Sequence, residues 1–200
     1  MRHEKSRKLS RVALLLTLVL VAALALSGCG KNTKPQVEIE IEDYGTIKLE
    51  LDRKAAPITV ENFLKLVEED FYDGLTFHRI VSGFMIQGGD PEGTGMGGSD
   101  ETIKGEFSAN GVENSLSHTR GAISMARSSA MDSASSQFFI VQEDSTFLDG
   151  EYAAFGYVTE GIEIVDQIVE EVLQYPFADE GMNLVATEHQ PVIKSITVVK

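Results

Sequence analysis

One arginine and one glutamine stand out in the stretch FHRIVSGFMIQGGD, which spans residues 77–90. Arg79 carries five N–H donors in a fixed planar fork, and Gln87 carries an amide donor and an amide acceptor. Apolar side chains, among them Phe84 and Met85, surround both residues, and the stretch has no cysteine, no paired carboxylates and no metal-ligand spacing. Such residues supply an apolar surface with a fixed cation beside it, rather than a nucleophile or a metal.

A glycine motif of the G-x-G-x-x-G type follows at Gly93, Gly95 and Gly98. In nucleotide-binding proteins this motif lies between a strand and the N-terminus of a helix, and the sequence predicts neither here. A phosphate would also be repelled by the acidic neighbours Asp90, Glu92, Asp100 and Glu101. We therefore interpret this segment as an exposed loop whose glycines turn the backbone.

Hydroxyl and imidazole groups raise two further possibilities. The run RSSAMDSASSQ, residues 127–137, places serines beside Asp132, with His118 upstream, but the G-x-S-x-G elbow of serine hydrolases is missing. The four histidines, at positions 3, 78, 118 and 189, lack the spacing of zinc ligands. We interpret the serine run as a solvated loop and His78 and His118 as structural histidines, and we expect no metal.

Alternating apolar residues predict the strands that must position these side chains. From Val37 to Leu51 the alternation continues on either side of Asp43-Tyr44-Gly45, which is a strong hairpin pattern. Further strand-like runs lie at 77–81, 84–87, 121–126, 137–141, 153–158 and 192–199. Eight strands with mostly short links predict a mainly β fold, a closed eight-stranded antiparallel β-barrel.

Two segments have helical spacing instead. Apolar residues recur at i, i+3, i+4 and i+7 in TVENFLKLVEED, after Pro57 and a capping Thr59, and a similar stripe runs through GIEIVDQIVEEV. We expect these two α-helices to cap the open ends of the barrel.

The opening stretch combines with three others, LSHTRGAISMAR (116–127), SASSQFFI (133–140) and FLDGEYAAFGYV (147–158). In this order and spacing the four motifs resemble the cyclophilins, which are barrel-fold peptidyl-prolyl cis/trans isomerases. The resemblance runs from about Val37 to Lys200 and is strongest over residues 71–158. It implies the cyclophilin-like fold and an activity that rotates X-Pro bonds.

This activity suits residues that supply no nucleophile. Rotation about an X-Pro bond faces a barrier of about 18 to 20 kcal/mol because the nitrogen lone pair is delocalised into the carbonyl. No bond is made or broken, so neither a metal nor a cofactor is needed. The catalyst needs an apolar pocket for the proline ring and a donor that favours the twisted amide over the planar one.

The resemblance also implies roles for individual residues. Arg79 directs its guanidinium at the prolyl amide, Gln87 hydrogen-bonds the substrate backbone, and Gln137 helps to orient Arg79. Ala126 and Arg127 occupy the strand whose backbone pairs with the substrate. The proline pocket is formed by apolar residues, which are Phe84, Met85, Phe139 and Leu148.

Three positions depart from the best-known eukaryotic pattern. Phe147 stands in place of a tryptophan, Tyr152 in place of a histidine and Arg127 in place of a frequent asparagine. The first two changes look like those of bacterial cyclophilins and bear on ligand preference. Taken singly, Arg79 fits a surface salt bridge and the apolar residues fit ordinary core. The alternative function is a proline-peptide binding module or holdase that keeps the groove without needing catalysis.

The N-terminus predicts export. A basic head with five Arg and Lys side chains precedes Val12–Leu26, where Thr17 is the only polar residue, as in a secretory signal. Leu26-Ser27-Gly28-Cys29 resembles the lipobox of bacterial lipoproteins, in which the cysteine is acylated and becomes the first mature residue. An uncleaved anchor helix and an ordinary cleaved signal are the alternatives. Cys29 is the only cysteine, so no intramolecular disulfide is possible.

These features predict three segments and a set of partners. Residues 1–28 form the signal peptide, residues 29–36 the lipidated cysteine with a short tether, and residues 37–200 the isomerase domain. Loss of residues 1–28 changes the formal charge from -14 to about -18, which disfavours nucleic acid and anionic headgroups. We expect an extracytoplasmic monomer, held at the bacterial cell membrane by lipid, that acts on proline-containing unfolded or exported polypeptides.

Overall fold

The computed structural model describes residues 34–199. The predicted signal peptide and Cys29 lie outside these residues. The described residues form ten strands and two α-helices, in the order β1 Gln36–Ile41, β2 Gly45–Leu51, α1 Pro57–Glu68, β3 Thr76–Val81, β4 Met85–Asp90, β5 Ala122–Met125, β6 Phe138–Val141, β7 Ala153–Glu160, α2 Ile162–Val172, β8 Phe177–Asp179, β9 Leu184–Val185 and β10 Ile193–Val199. Neither helix in this range is long and apolar enough to cross a membrane.

All ten strands belong to one antiparallel sheet, in the order β10-β1-β2-β7-β5-β6-β4-β3-β9-β8. Each of the eight strands predicted from the sequence is present, and the mainly β architecture with two helices is confirmed. The predicted closed eight-stranded barrel is wrong, because the sheet has ten strands and ends at β10 and β8.

The outer edge of β3 explains why the sheet is not closed. Its second half pairs with β9, where Arg79 lies opposite Leu184. In its first half, only an isolated bridge joins Thr76 to Val192, just before β10. Because β9 occupies this edge, no continuous ladder joins β3 to β10 within the described residues.

The apolar alternation of β1 and β2 reaches the core as predicted. Six side chains of this hairpin are at most 1% exposed, namely Val37, Ile39, Ile41, Ile47, Leu49 and Leu51. The predicted stripes of both helices are also buried. Helix α1 contacts β10 and β7, and α2 contacts β2 and β3, so both helices pack on the sheet.

Thr59 does not cap α1, contrary to the prediction. Ala56 is the N-cap residue and makes no side-chain cap hydrogen bond. The carboxylate of Glu106, which is 2% exposed, accepts the N–H groups of Ile58 at 3.0 Å and Thr59 at 2.8 Å. A distant carboxylate therefore satisfies the helix N-terminus, where negative charge is favourable.

Candidate functional site

Arg79, Gln87 and Phe139 lie side by side on three neighbouring strands. Arg79 of β3 pairs with Gln87 of β4, and Gln87 pairs with Phe139 of β6. Residues that pair directly across an antiparallel ladder project from the same face of the sheet. Their neighbours Ile86 and Ile140 are fully buried in the main core on the opposite face. The sheet therefore presents a cation, an amide and an aromatic ring in one row on its outer face.

This row borders a cavity of about 200 Å³, here called the apolar cavity. Nine of the eleven side chains predicted for the site line it, namely Arg79, Phe84, Met85, Gln87, Ala126, Arg127, Phe139, Leu148 and Tyr152. The other two, Gln137 and Phe147, lie beside it. The structure thus brings together residues that are up to 73 positions apart in the chain.

Buried aromatic and aliphatic groups form the floor and walls of the apolar cavity. Phe139 is 5% exposed and meets the ring of Tyr152 edge to face, with centroids 6.0 Å apart. Met85 and Leu148 pack in the same small cluster. Phe147 is 71% exposed and lies against Phe84 at the rim, with ring centroids 5.5 Å apart.

A buried polar chain supports Phe139 from behind. The His118 ring stacks on Phe139 with centroids 6.0 Å apart. His118 Nε2 lies 2.9 Å from Ser124 Oγ, and its Nδ1 lies 2.8 Å from Asp149 Oδ1. Burial lowers the pKa of His118, although Asp149 opposes this effect. The neutral imidazole can then donate to Asp149 and accept from the Ser124 hydroxyl.

This Ser-His-Asp arrangement has the connectivity of a hydrolase triad but not its accessibility. Ser124 and His118 are both 0% exposed, so a substrate cannot reach the hydroxyl. Asp132, which the sequence places beside the serine run, instead accepts hydrogen bonds from Gly105 and Asn110. Within residues 34–199, no group of three or more His, Cys, Asp or Glu side chains is arranged to hold a metal ion.

The guanidinium of Arg79 is held by neutral acceptors. Its Nη1 donates to Gln87 Oε1 at 3.2 Å, and its Nε donates to the Met182 carbonyl at 3.1 Å. Burial lowers the pKa of Arg79, but a guanidinium stays charged near neutral pH. Arg79 forms no ion pair with another described residue. The salt-bridge alternative therefore does not describe this side chain, and its charge is available to a ligand.

Gln137 reaches Arg79 through Gln87. The Gln87 amide donates to Gln137 Oε1 at 2.8 Å, and Gln137 Nε2 donates to the carbonyls of Gly97 at 2.7 Å and Gly95 at 3.1 Å. All four bonds, including that from Arg79, run in one direction. The chain fixes which way both glutamine amides point, and it leaves one N–H of Gln87 free of these contacts.

Arg127 is anchored through its side chain. Its guanidinium lies between the rings of Phe107 at 5.0 Å and Tyr152 at 4.7 Å. Two of its nitrogens donate to the Glu151 carbonyl, Nε at 3.0 Å and Nη2 at 2.9 Å. Ala126 donates its backbone N–H to Gln137 at 2.9 Å. The contacts of Arg127 with Glu151 and Tyr152 connect the residues that follow β5 to the segment before β7.

A second, larger cavity of about 480 Å³, here called the polar cavity, shares a wall with the first. Gln87, Ala126 and Arg127 line both cavities. The remaining walls of the polar cavity come from two loops, with Gly95, Met96, Gly97, Gly98 and Ser99 in one and Ser128, Ser133, Ser135 and Gln137 in the other. Sequence reasoning treated both loops as solvated and, apart from Gln137, missed them as cavity walls.

Comparison with known proteins agrees with this geometry. The family model described as cyclophilin type peptidyl-prolyl cis-trans isomerase/CLD matches residues 36–198. The chain is 50% identical to peptidyl-prolyl cis-trans isomerase B of Bacillus subtilis (strain 168) over 123 residues, which are 62% of this chain and 82% of that protein. It is 38% identical to a peptidyl-prolyl cis-trans isomerase of Acinetobacter baylyi over 207 residues, covering 96% of this chain and 100% of that protein.

A solved structure shows the same fold. The crystal structure of a Cryptosporidium parvum cyclophilin type peptidyl-prolyl cis-trans isomerase in the presence of the dipeptide Ala-Pro superposes with a TM-score of 0.70 at 32% sequence identity. The match covers 82% of this chain and 99% of that chain. The chain therefore belongs to the family of cyclophilin-type peptidyl-prolyl cis-trans isomerases.

Proposed function

We propose that isomerisation takes place in the apolar cavity and that Arg79 acts on the prolyl amide there. The observation that carries this proposal is the state of the guanidinium. It is charged, unpaired with any described carboxylate and bonded to two neutral acceptors at the edge of an apolar cavity. A donor fixed before the substrate arrives needs little reorganisation when the amide twists.

The other residues of the site would bind the substrate through apolar contacts to the proline ring and polar contacts to its backbone. The proline ring would lie on Phe139, between Met85 and Leu148, where contact with water is small. As the C–N bond rotates, the nitrogen lone pair leaves the carbonyl and becomes able to accept a hydrogen bond from Arg79. The remaining N–H of Gln87 would hold a substrate carbonyl. These contacts favour the twisted amide, which is the condition for catalysis.

The substrates would be proline-containing segments of unfolded, exported polypeptides. The related Cryptosporidium protein was solved in the presence of Ala-Pro, which supports a proline-containing ligand. The export signal predicted at residues 1–28 supports clients outside the cytoplasm. Because nine of the eleven residues predicted for the site line one cavity of a single chain, we propose that a monomer is sufficient.

The test of the catalytic role compares Arg79→Ala and Arg79→Lys with the parent. We expect Arg79→Ala to lower kcat/KM for a proline peptide by about 10²-fold or more, as for loss of one preorganised donor. Arg79→Lys should restore little, because an ammonium keeps the charge but loses the planar fork. Peptide affinity, measured by calorimetry on the same proteins, should fall much less.

Two results would contradict this role. If Arg79→Ala isomerises peptides as fast as the parent, Arg79 is not the catalytic donor. If rate and affinity fall together, Arg79 contributes uniform binding. The second result favours a module that holds proline peptides.

We also propose that Cys29 carries a lipid and begins the mature protein at the bacterial cell membrane. The lipobox-like Leu26-Ser27-Gly28-Cys29 supports this proposal, as does an acidic chain that would not bind anionic headgroups by itself. Mass spectrometry of the membrane fraction should find an acylated Cys29 at the N-terminus. Cys29→Ser should remove the lipid and leave the domain folded, because the residue lies outside the folded domain, and recovery of intact residues 1–28 on the mature protein would contradict the proposal.

A further inference from the structure

The β8–β9 hairpin, residues 177–185, contacts Arg79 at the edge of β3 opposite Gln87. Leu184 of β9 pairs with Arg79, and the backbone N–H of Ile80 donates to the Asn183 carbonyl at 3.2 Å. The carbonyl of Met182, in the turn between β8 and β9, accepts from Arg79 Nε at 3.1 Å. The catalytic strand is thus paired on both sides, with β4 on one and the hairpin on the other.

The two acceptors together fix the plane of the guanidinium. Nη1 is held from β4 by Gln87 and Nε from the hairpin by Met182. With two of its nitrogens held from opposite sides, the planar group cannot rotate without losing a bond. Nη2 makes no hydrogen bond with any described residue, so both of its N–H groups are left for a substrate.

The Met182 carbonyl is itself held by the turn. The N–H of Met182 donates to Asp179 Oδ1 at 3.0 Å. Asn183 has a positive φ of 54°, a conformation that Asn adopts more readily than most residues. These two residues set the orientation of the peptide groups on either side of Met182.

The base of the hairpin is fixed to the body of the sheet. Val185 is 2% exposed, and its carbonyl accepts from Gln190 Nε2 at 2.9 Å. Gln190 also bonds the Thr76 hydroxyl of β3 at 2.5 Å and the Gly93 carbonyl at 3.0 Å. Movement in the turn would therefore be local and would leave the sheet in place.

We propose that the β8–β9 hairpin is a positioning element for catalysis. Asp179 and Asn183 fix the peptide groups before and after Met182, the Met182 carbonyl fixes Nε of Arg79, and Nη2 is thereby presented to the prolyl amide. This inference rests on the proposed role of Arg79. It assigns a role in catalysis to the two strands that the sequence did not predict.

The first test removes the acceptor for the Met182 N–H. Asp179→Ala should lower kcat/KM about three- to tenfold, because an indirect contact to a charged donor is loosened. The loss should fall on kcat, with proline-peptide affinity nearly unchanged. Asp179→Asn keeps an oxygen acceptor without the charge, so it should restore most of the rate.

Glu180→Ala is the matched control. It removes the same charge from the same turn, and no described hydrogen bond involves the Glu180 side chain, so its rate should equal that of the parent. A loss in Glu180→Ala as large as in Asp179→Ala would mean that charge, not geometry, matters. A loss that Asp179→Asn does not relieve would also overturn the proposal.

A second pair of variants tests the same geometry through the backbone. Asn183→Gly tolerates positive φ and should keep the parent rate, whereas Asn183→Val disfavours it and should lose at least as much as Asp179→Ala. Asp179→Ala, Glu180→Ala and Asn183→Gly should unfold at nearly the parent temperature, because Asp179 and Glu180 are exposed and Gly tolerates positive φ. Asn183→Val should unfold at a somewhat lower temperature, because a β-branched residue is strained at positive φ. Equal rates in Asn183→Gly and Asn183→Val would overturn the proposal.

A double-mutant cycle separates this proposal from the proposed function. In an Arg79→Ala background, Asp179→Ala should cause no further loss, because the side chain on which the hairpin acts is gone. The same fold-loss in both backgrounds would show that the hairpin acts elsewhere. Failure of the proposed function is visible in the single Arg79→Ala variant, whatever Asp179 does.

Discussion

The apolar cavity and the polar cavity share Gln87, Ala126 and Arg127, but different elements build the rest of their walls. Two strand residues of the apolar cavity, Met85 and Phe139, are at most 5% exposed. Loop residues form the polar cavity, where Met96 is 83% exposed. The comparison teaches that packed side chains shape one cavity while exposed loop residues shape the other, so we expect the apolar cavity to be the more restrictive of the two toward a ligand.

Hydrogen bonds to a buried carboxylate order the first loop of the polar cavity, which follows β4. Asp90 is 1% exposed and accepts N–H groups from Glu92 at 2.8 Å, Thr94 at 3.0 Å and Gly95 at 2.6 Å. Burial opposes ionisation of Asp90, but these hydrogen bonds outweigh it and hold its pKa below the ordinary value. Order in this wall therefore comes from backbone hydrogen bonds, and order in the apolar wall comes from packed side chains.

The largest expected effect comes from a substitution in the apolar cavity. Phe139→Ala should lower the free energy of unfolding by about 3 kcal/mol or more, because a packed ring is removed from both His118 and Tyr152. Phe147→Ala, at the exposed rim, should cost less than about 1 kcal/mol. Denaturant unfolding of both variants measures this contrast, and equal losses would show that the two phenylalanines are similarly packed.

The next effect concerns the wall between the cavities. Gln87→Leu removes an acceptor from the charged Arg79 and should lower kcat/KM about 10- to 100-fold. Gln137→Leu acts one bond further away and should cost less. Peptide isomerisation kinetics on both variants test the order, and a larger loss in Gln137→Leu would contradict the chain of contacts described above.

Acid should weaken the fold before it affects catalysis. Burial lowers the pKa of both His78 and His118, so near pH 6 the unfolded chain binds more protons than the folded chain. Stability should therefore fall as pH drops below about 6.5, by at most about 1.4 kcal/mol per pH unit for each histidine. Carboxylates with lowered pKa values, such as Asp90, add their loss only below about pH 4.

Two measurements check this pH dependence. Denaturant unfolding at pH 7 and pH 5 should show the loss of stability, and equal values would contradict it. The isomerisation rate should stay nearly flat from about pH 6 to 8, because a guanidinium does not titrate there. A rate that follows a histidine titration would place a proton transfer in the mechanism.

The smallest expected effect lies in the polar cavity. Met96→Ala should leave the unfolding free energy within about 0.5 kcal/mol of the parent. Its effect should be seen in selectivity, as changes of up to about threefold among proline peptides that differ in the residues flanking the proline. A uniform loss across such a panel would show that Met96 supports the proline pocket itself.

Many residues of the apolar cavity could be predicted from the sequence. Strand alternation places Arg79, Gln87 and Phe139 on one face, and motif resemblance names their neighbours. The polar cavity could not be predicted in this way, because glycine and serine loops have no periodicity and their mutual approach is set by distant contacts such as those of Asp90. The available signal in the sequence was Asp90, a residue with hydrogen-bond acceptors at the end of β4.

Closure of the sheet also depended on tertiary contacts. Strands β8 and β9 have only three and two residues, too few for an alternating pattern, and β9 occupies the edge of β3 that a closed barrel would need. The prediction of the N-cap of α1 was wrong for a similar reason. A local rule favoured Thr59, whereas Glu106 binds the helix start from 47 residues away. Local patterns define elements, but competition for an edge or a cap is decided by the whole fold.

Because Phe147 is exposed, this position is suited to a fluorescent side chain that reports ligand binding. The chain contains no tryptophan, so Phe147→Trp would introduce a single indole at the rim of the apolar cavity, beside Phe84. Its fluorescence would respond to a peptide that covers the rim, without background from the core. Binding and isomerisation could then be followed in the same cuvette, on a protein without an attached dye.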